Sequence, residues 1–301
     1  MGGSHQSAKW HVIGRAVCGA AHRRNTMPLQ DAICWLPAEG SSPWLALALA
    51  DGHGSPVCFR SKQGADLAVG TAALLLRDFH LRHPDCDGTD LQRVAEEEIS
   101  KPLVSQWRQS VMRQLEQNPL TASELDGLEQ KLGSSAGRAL EADPVLAYGS
   151  TALAALATPA YSLLLQLGDG DCLIVSRLGE TFRPWSRDTR LLGVETTSLC
   201  MHQAWNEVRL CIRQAGEDSA ALLLLCTDGY SNSFRDDEGF LNVGRDFLEL
   251  IRSEGIEKVN EHLDEWLAET TENGSGDDVS LGILWREEEP GLTPPSLPLV
   301  I

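Results

Sequence analysis

Apolar residues along this chain follow two periods, and the alternation between them divides it into blocks. Residues 10–21, Ala32–Leu36 and residues 44–50 (WLALALA) are apolar runs of strand length. Such runs, bounded by turn formers, predict buried strands. Residues 61–81 then take helical spacing, with Ala65, Ala68, Val69, Ala72, Leu75, Leu76 and Phe79 on one face. Residues 90–117 continue the helical pattern through Val94, Val104, Trp107 and Val111, and Pro102 predicts a kink or split there. Thr121-Ala122-Ser123-Glu124 is a capping-box sequence ahead of a third helix, weakened by Gly127, Gly133 and Gly137. From Gly149 the strand period returns. Residues 151–157, 161–167 and 172–178, joined by short turns, predict an antiparallel meander in which Gly168-Asp169-Gly170-Asp171 is a tight hairpin turn. Residues 207–212 and 221–226 read as strands, 242–252 and 256–269 as helices, and 279–285 as a last strand. The order predicts an α+β domain: an antiparallel-rich sheet core covered by helices.

The same pattern sets the boundaries. Residues 1–9 are polar and read as a flexible N-terminus, 10–286 as one domain with a helical segment over 61–141, and 287–301, with four prolines, as a tail. Residues 183–204 have no clean period and carry Arg183, Arg187 and Arg190, which predicts a flap.

Charge narrows the function classes. Forty-three acids against 25 bases leave a formal charge of −18, with no basic block, so nucleic acid and anionic membrane surfaces are excluded as partners. No apolar stretch reaches the ~18 residues of a membrane span, and the expected location is cytoplasmic. The eight cysteines form no C-x-x-C pair and read as buried reduced thiols. His80 and His83 have ligand-like spacing without supporting acids and read as surface histidines.

Three acidic motifs sit at the ends of apolar runs: Asp51-Gly52-His53-Gly54, Thr227-Asp228-Gly229 and Gly276-Asp277-Asp278-Val279-Ser280. Each alone reads as a turn. Together they place carboxylates from distant segments at strand ends, an oxygen-rich set suited to hard cations such as Mg²⁺ or Mn²⁺.

The order of DGHG, GSTA (residues 149–152), GDGD, TDG and GDDVS resembles the type-2C metal-dependent protein serine/threonine phosphatases, over residues 10–285. The segment from Gly19 to His22 and on to Pro28-Leu29-Gln30-Asp31-Ala32 is similar to a bacterial branch of that family. The resemblance implies an antiparallel β-sandwich flanked by helices on both faces, with two Mn²⁺ or Mg²⁺ ions at one end. It implies hydrolysis of phosphoserine and phosphothreonine in protein substrates by attack of a metal-bridged water. In that reading Asp51 bridges both metals, the Gly52 carbonyl adds a ligand, and Asp228 and Asp277 complete the second metal's shell. Asp31 holds metal-bound waters beside a neutral Gln30, and Asp278, where relatives carry Asn, supports the ligands. His53 is the expected general acid; the alternative is a histidine that only ties the loop. His22 occupies the position of the family's phosphate-binding Arg. Arg23 and Arg24 either take over that work or are solvated loop charges. A third metal is expected to be weak or absent, because only Asp143 and Asn232 stand near its usual ligand positions. Relatives of this branch accompany a serine/threonine kinase and a von Willebrand-type domain protein, which makes these the expected partners. The competing function is a catalytically silent relative that binds phosphoproteins or scaffolds a kinase signalling system.

Overall fold

In the computed structural model, residues 9–84, 90–187, 196–216 and 219–287 are described. The chain forms β1 (Trp10–Val17), α1 (Ala20–Arg24), β2 (Ala32–Leu36), β3 (Ser41–Ser42), β4 (Leu45–Ala50), α2 (Ser61–Arg82), α3 (Asp90–Ala95), α4 (Lys101–Gln117), α5 (Ala122–Leu132) and α6 (Ser134–Ala142). It continues through β5 (Ala152–Ala157), β6 (Tyr161–Leu167), β7 (Asp171–Ser176), β8 (Thr181–Phe182), β9 (Arg209–Gln214), β10 (Ala220–Cys226), α7 (Asp228–Ser231), α8 (Asp237–Glu254), α9 (Ile256–Asn273) and β11 (Val279–Arg286).

The strands make two antiparallel sheets, ordered β3-β1-β11-β10-β7-β8 and β2-β4-β5-β6-β9. This is the α+β sandwich that the motifs imply. The alternation in β4 shows how the layers form. Leu45, Leu47 and Leu49 pack with Leu153, Leu164, Leu223, Leu225 and Leu284 between the two sheets. Ala46, Ala48 and Ala50 face the other way, among Ala65, Ala68, Ala72 and Phe79 of α2. Small residues on both sides let this helix lie close to its sheet. Helices α8 and α9 cover the first sheet through Phe240, Leu248, Ile251, Leu263 and Leu267. Each fully buried Leu or Phe contributes roughly 1.5–3 kcal/mol. Among the described residues no helix is long and apolar enough to cross a membrane.

Several expectations are corrected. The predicted meander forms only in its first step: β5 and β6 pair antiparallel as expected, but β6 continues to β9, whereas β7 pairs with β10 and β8. Gly168–Asp171 is therefore no hairpin turn but the crossing from one sheet to the other. The expected kink near Pro102 appears as a π-helical turn at Glu96–Ser100, with the proline in the first turn of α4; its missing N–H disrupts the preceding ladder. The capping box at Thr121 and Glu124 is formed, but Gly133, at φ +81, breaks the third helix into α5 and α6. His80 is not on the surface: it is 9% exposed and packs on Trp44, with ring centroids 5.2 Å apart. The flap's described ends are anchored. Arg183 pairs with Asp171 and Asp237 at 2.5 and 2.8 Å, and the Leu199 N–H donates to the Ser150 carbonyl at 2.9 Å. Residues 188–195, including Arg190, lie outside the described residues, as do 1–8 and the tail from 288.

Close approach of α2 to the chain around Tyr148 yields a test. A Cβ on Gly64 would sit 1.8 Å from the Tyr148 carbonyl oxygen, whereas one on Gly70 in the same helix meets nothing within 4 Å. Gly64→Ala is expected to lower stability by at least the ~1–3 kcal/mol of overpacking. Gly70→Ala should raise it by about 0.5–1 kcal/mol through helix propensity. Urea midpoints of the two variants check both signs.

Candidate metal centre

One end of the sandwich collects carboxylates from both sheets. Asp51 follows β4, Asp228 follows β10, Asp277 precedes β11, and Asp31 precedes β2. Asp169 sits on the crossing between the sheets. A ligand atom from each of Asp51, Asp169 and Asp228 lies within 4.8 Å of the others. Asp169 is the residue that sequence reasoning missed. The only signal was the motif itself, and its reading as a hairpin removed it from consideration.

The turns are held from behind. The Asp51 N–H donates to Thr151 Oγ1 at 2.9 Å, the Thr151 N–H to the Asp51 carbonyl at 2.9 Å, and the His53 N–H to the Gly149 carbonyl at 3.1 Å. The GSTA segment is thus a backbone strap for DGHG. Glycine in these motifs answers to packing as well as to turning. A Cβ on Gly52 would meet the carbonyl oxygens of Gln30 and Ser61 at 2.8 Å, and one on Gly229 would lie 2.0 Å from the Asp278 carbonyl oxygen.

Asp278 ties the first loop to the last strand. Its Oδ1 accepts from the Gly19 N–H and its Oδ2 from the Gln30 N–H, both at 2.6 Å, and it is 3% exposed. Thr227 donates its hydroxyl to Asp31 Oδ2 at 2.7 Å, and Asp31 is 1% exposed.

Burial pushes Asp31 and Asp228 each up to about 7; neighbouring carboxylates add to it, and hydrogen bonds oppose it. Burial and the charges of Asp31, Asp228, Asp169 and Asp277 hold Asp51 well above the carboxylate range, and burial raises Asp169 as well. Among the described residues, Asp31 Oδ1 and Asp169 Oδ1 are buried atoms that accept no well-formed hydrogen bond. Mutually repelling carboxylates with orphaned oxygens fit divalent cations, which supply the missing charge.

The other expected site residues separate. Asp277 is 52% exposed and stands outside the tight trio at the cleft rim. Arg23 pairs with Glu272 of α9 at 3.0 Å and donates to the Cys18 carbonyl. His22 does not face an open cleft either. Its Nδ1 lies 2.9 Å from Asp278 Oδ1 and its Nε2 3.4 Å from Asp277 Oδ1. Arg24 remains on the exposed rim, with Nη2 3.9 Å from where a Gly276 Cβ would be. His53 lacks the positive charge expected of a general acid. Burial pushes its ring down to about 4, so it is neutral at pH 7, and its Nε2 has no hydrogen-bond partner. Asp143 pairs with Arg108 at 2.8 and 3.0 Å, and Asn232 donates through Nδ2 to Asp228 Oδ2 at 3.0 Å. Beside the trio opens a cavity of about 140 Å³, lined by Asp169, Asp228, Arg183, Trp185, Arg187 and Arg209 among others.

The family model for protein phosphatase 2C matches residues 18–268. No curated protein matches the chain. Among solved structures, it is similar to the catalytic domain of the serine threonine protein phosphatase PstP in complex with two manganese ions, with TM-score 0.52 and 18% identity, over 93% of this chain and 100% of that one. The Mycobacterium tuberculosis serine/threonine phosphatase PstP/Ppp gives 0.51 at 18% identity, over 93% and 100%. PppA, a key regulatory component of T6SS in Pseudomonas aeruginosa, gives 0.52 at 16% identity, over 92% and 98%. At these identities the likeness to solved structures is one of fold.

The raised carboxylates carry a pH signature. An acid raised from 3.8 to about 7 on folding binds more protons folded than unfolded between those values, so stability falls as pH rises through that window. In EDTA the melting temperature is expected to drop between pH 5 and pH 8, and saturating Mn²⁺ to shrink that drop. A metal-free melting temperature that rises over this range would show that the cluster is not electrostatically strained.

Proposed function

This chain belongs to the protein phosphatase 2C family, and from its carboxylate cleft we propose that it is a Mn²⁺- or Mg²⁺-dependent phosphatase of phosphoserine and phosphothreonine in proteins. The observation that carries the reading is the Asp51–Asp169–Asp228 trio, drawn from both sheets, whose ligand atoms lie within 4.8 Å of one another. Asp51, Asp169 and Asp228 would hold the ions, with Asp277 at the rim and Asp31 and the Gly52 carbonyl beside them. When bound, such ions activate water and neutralise phosphate oxygens, the chemistry that a phosphomonoester dianion requires. The chain's own groups do the rest. Arg24, exposed near Gly276, would meet the phosphate, and the cavity beside the trio, where Arg183 and Arg187 are paired with Asp171 and Asp237, would receive the flank of the substrate. Neutral His53 acquires a proton when a phosphate dianion approaches, since nearby negative charge favours imidazolium, and passes it to the leaving alkoxide.

A second reading, a silent phosphoprotein binder, draws support from His22, whose ring faces carboxylates where a phosphate cation was expected. Hydrolysis of a phosphoserine peptide in Mn²⁺, with and without EDTA, decides between them. Asp51→Asn, Asp169→Asn and Asp228→Asn should each cut turnover by more than the ~10–100-fold typical of losing an outer partner of a metal site. Wild-type inactivity with intact metal binding would establish the binder. His53→Ala should slow phosphoserine peptides more than p-nitrophenyl phosphate, whose leaving group needs little protonation. Equal losses on both substrates would make His53 a structural residue.

A further inference from the structure

A second set of ligand-type side chains lies behind the acidic cleft. Cys18 directly follows β1, His22 stands four residues on in α1, and Asp278 immediately precedes the last strand. A ligand atom from each lies within 4.8 Å of the other two. The set differs in kind from the trio, since it offers one sulfur, one nitrogen and one oxygen. Sulfur and imidazole are ligands of borderline cations such as Zn²⁺, not of Mg²⁺ or Mn²⁺.

His22 supplies the independent observation. Its Nδ1 is buried and makes no in-line hydrogen bond, although Asp278 Oδ1 is 2.9 Å away. The ring nitrogen and the carboxylate oxygen converge at the spacing of two ligands that share one cation. The Cys18 thiol adjoins the Asp278 carboxylate and otherwise has long contacts, to the carbonyls of Gly19 at 3.9 Å and Met27 at 3.8 Å. Cys18 is partly exposed, which leaves an entry path.

We propose that Cys18, His22 and Asp278 form a Zn²⁺-class site separate from the carboxylate trio, with water completing a tetrahedral shell. On binding, the sulfur–metal bond replaces the Cys18 S–H bond, and the proton leaves to buffer; no oxidant or reductant takes part. Asp278 ligates while keeping its Oδ2 on the Gln30 N–H, so the ion reinforces the clasp between the first loop and β11.

The test uses Co²⁺ as the probe on the full chain, with the carboxylate trio first saturated with Mg²⁺. Wild type should take up Co²⁺ with a thiolate-to-cobalt charge-transfer band in the near ultraviolet. Cys18→Ser should lose the band, and its Zn²⁺ affinity in chelator competition should fall about tenfold or more. His22→Ala should shift the Co²⁺ titration in the same direction. Absence of the band in wild type, or its survival in Cys18→Ser, overturns the site. The band reads this site alone, whereas Mn²⁺-dependent peptide hydrolysis by Cys18→Ser reads the trio, so either proposal can fail without the other. Circular dichroism of Cys18→Ser that matches wild type assigns a lost band to the ligand and not to unfolding.

Discussion

Repulsion among desolvated carboxylates at the shared end of two stacked sheets is the constraint on which the cleft depends. Rigid strands fix where Asp51 and Asp228 emerge, and the crossing from β6 to β7 adds Asp169. The cluster therefore persists as a destabilised feature held by its surroundings, and divalent cations are its natural complement. The leucine layer between the sheets supplies the stability against which this local strain is tolerated.

Neighbouring backbone does the holding. The GSTA strap exchanges hydrogen bonds with DGHG on one side, and Asp278 pins Gly19 and Gln30 on the other. Thr227 serves two masters, donating to Asp31 and accepting from the Ser280 N–H at 3.0 Å. Gly52 and Gly229 permit approaches that any Cβ would block. The motifs thus combine ligands with the packing that aims them, and substitutions at their glycines should be as damaging as those at their acids.

Charge on the cleft's flanks is distributed unevenly. The His22 side is acidic, through Asp277 and Asp278, while the opposite wall carries Arg183, Arg187 and Arg209. Asp171 and Asp237 pair with Arg183 and Arg187, so the charges of these two arginines are balanced within the fold.

What the sequence by itself determined was local. Period-two runs marked the strands, Tyr161–Leu167 without error, and the Thr121 capping box marked a helix start, because propensity and capping act within a few residues. Asp51 and Asp228 were legible because an acid at the end of an apolar run can be read from neighbours. Strand pairing was not. Gly168–Asp171 has the composition of a hairpin, and only the partners of β6 and β7 make it a bridge between sheets that delivers Asp169 to the cleft. Arg23 and His22 were likewise beyond local reading, since Glu272, Asp277 and Asp278 lie about 250 residues away along the chain. Which charges meet, and how far burial shifts them, depends on long-range packing, and that is decided only when the two sheets stack.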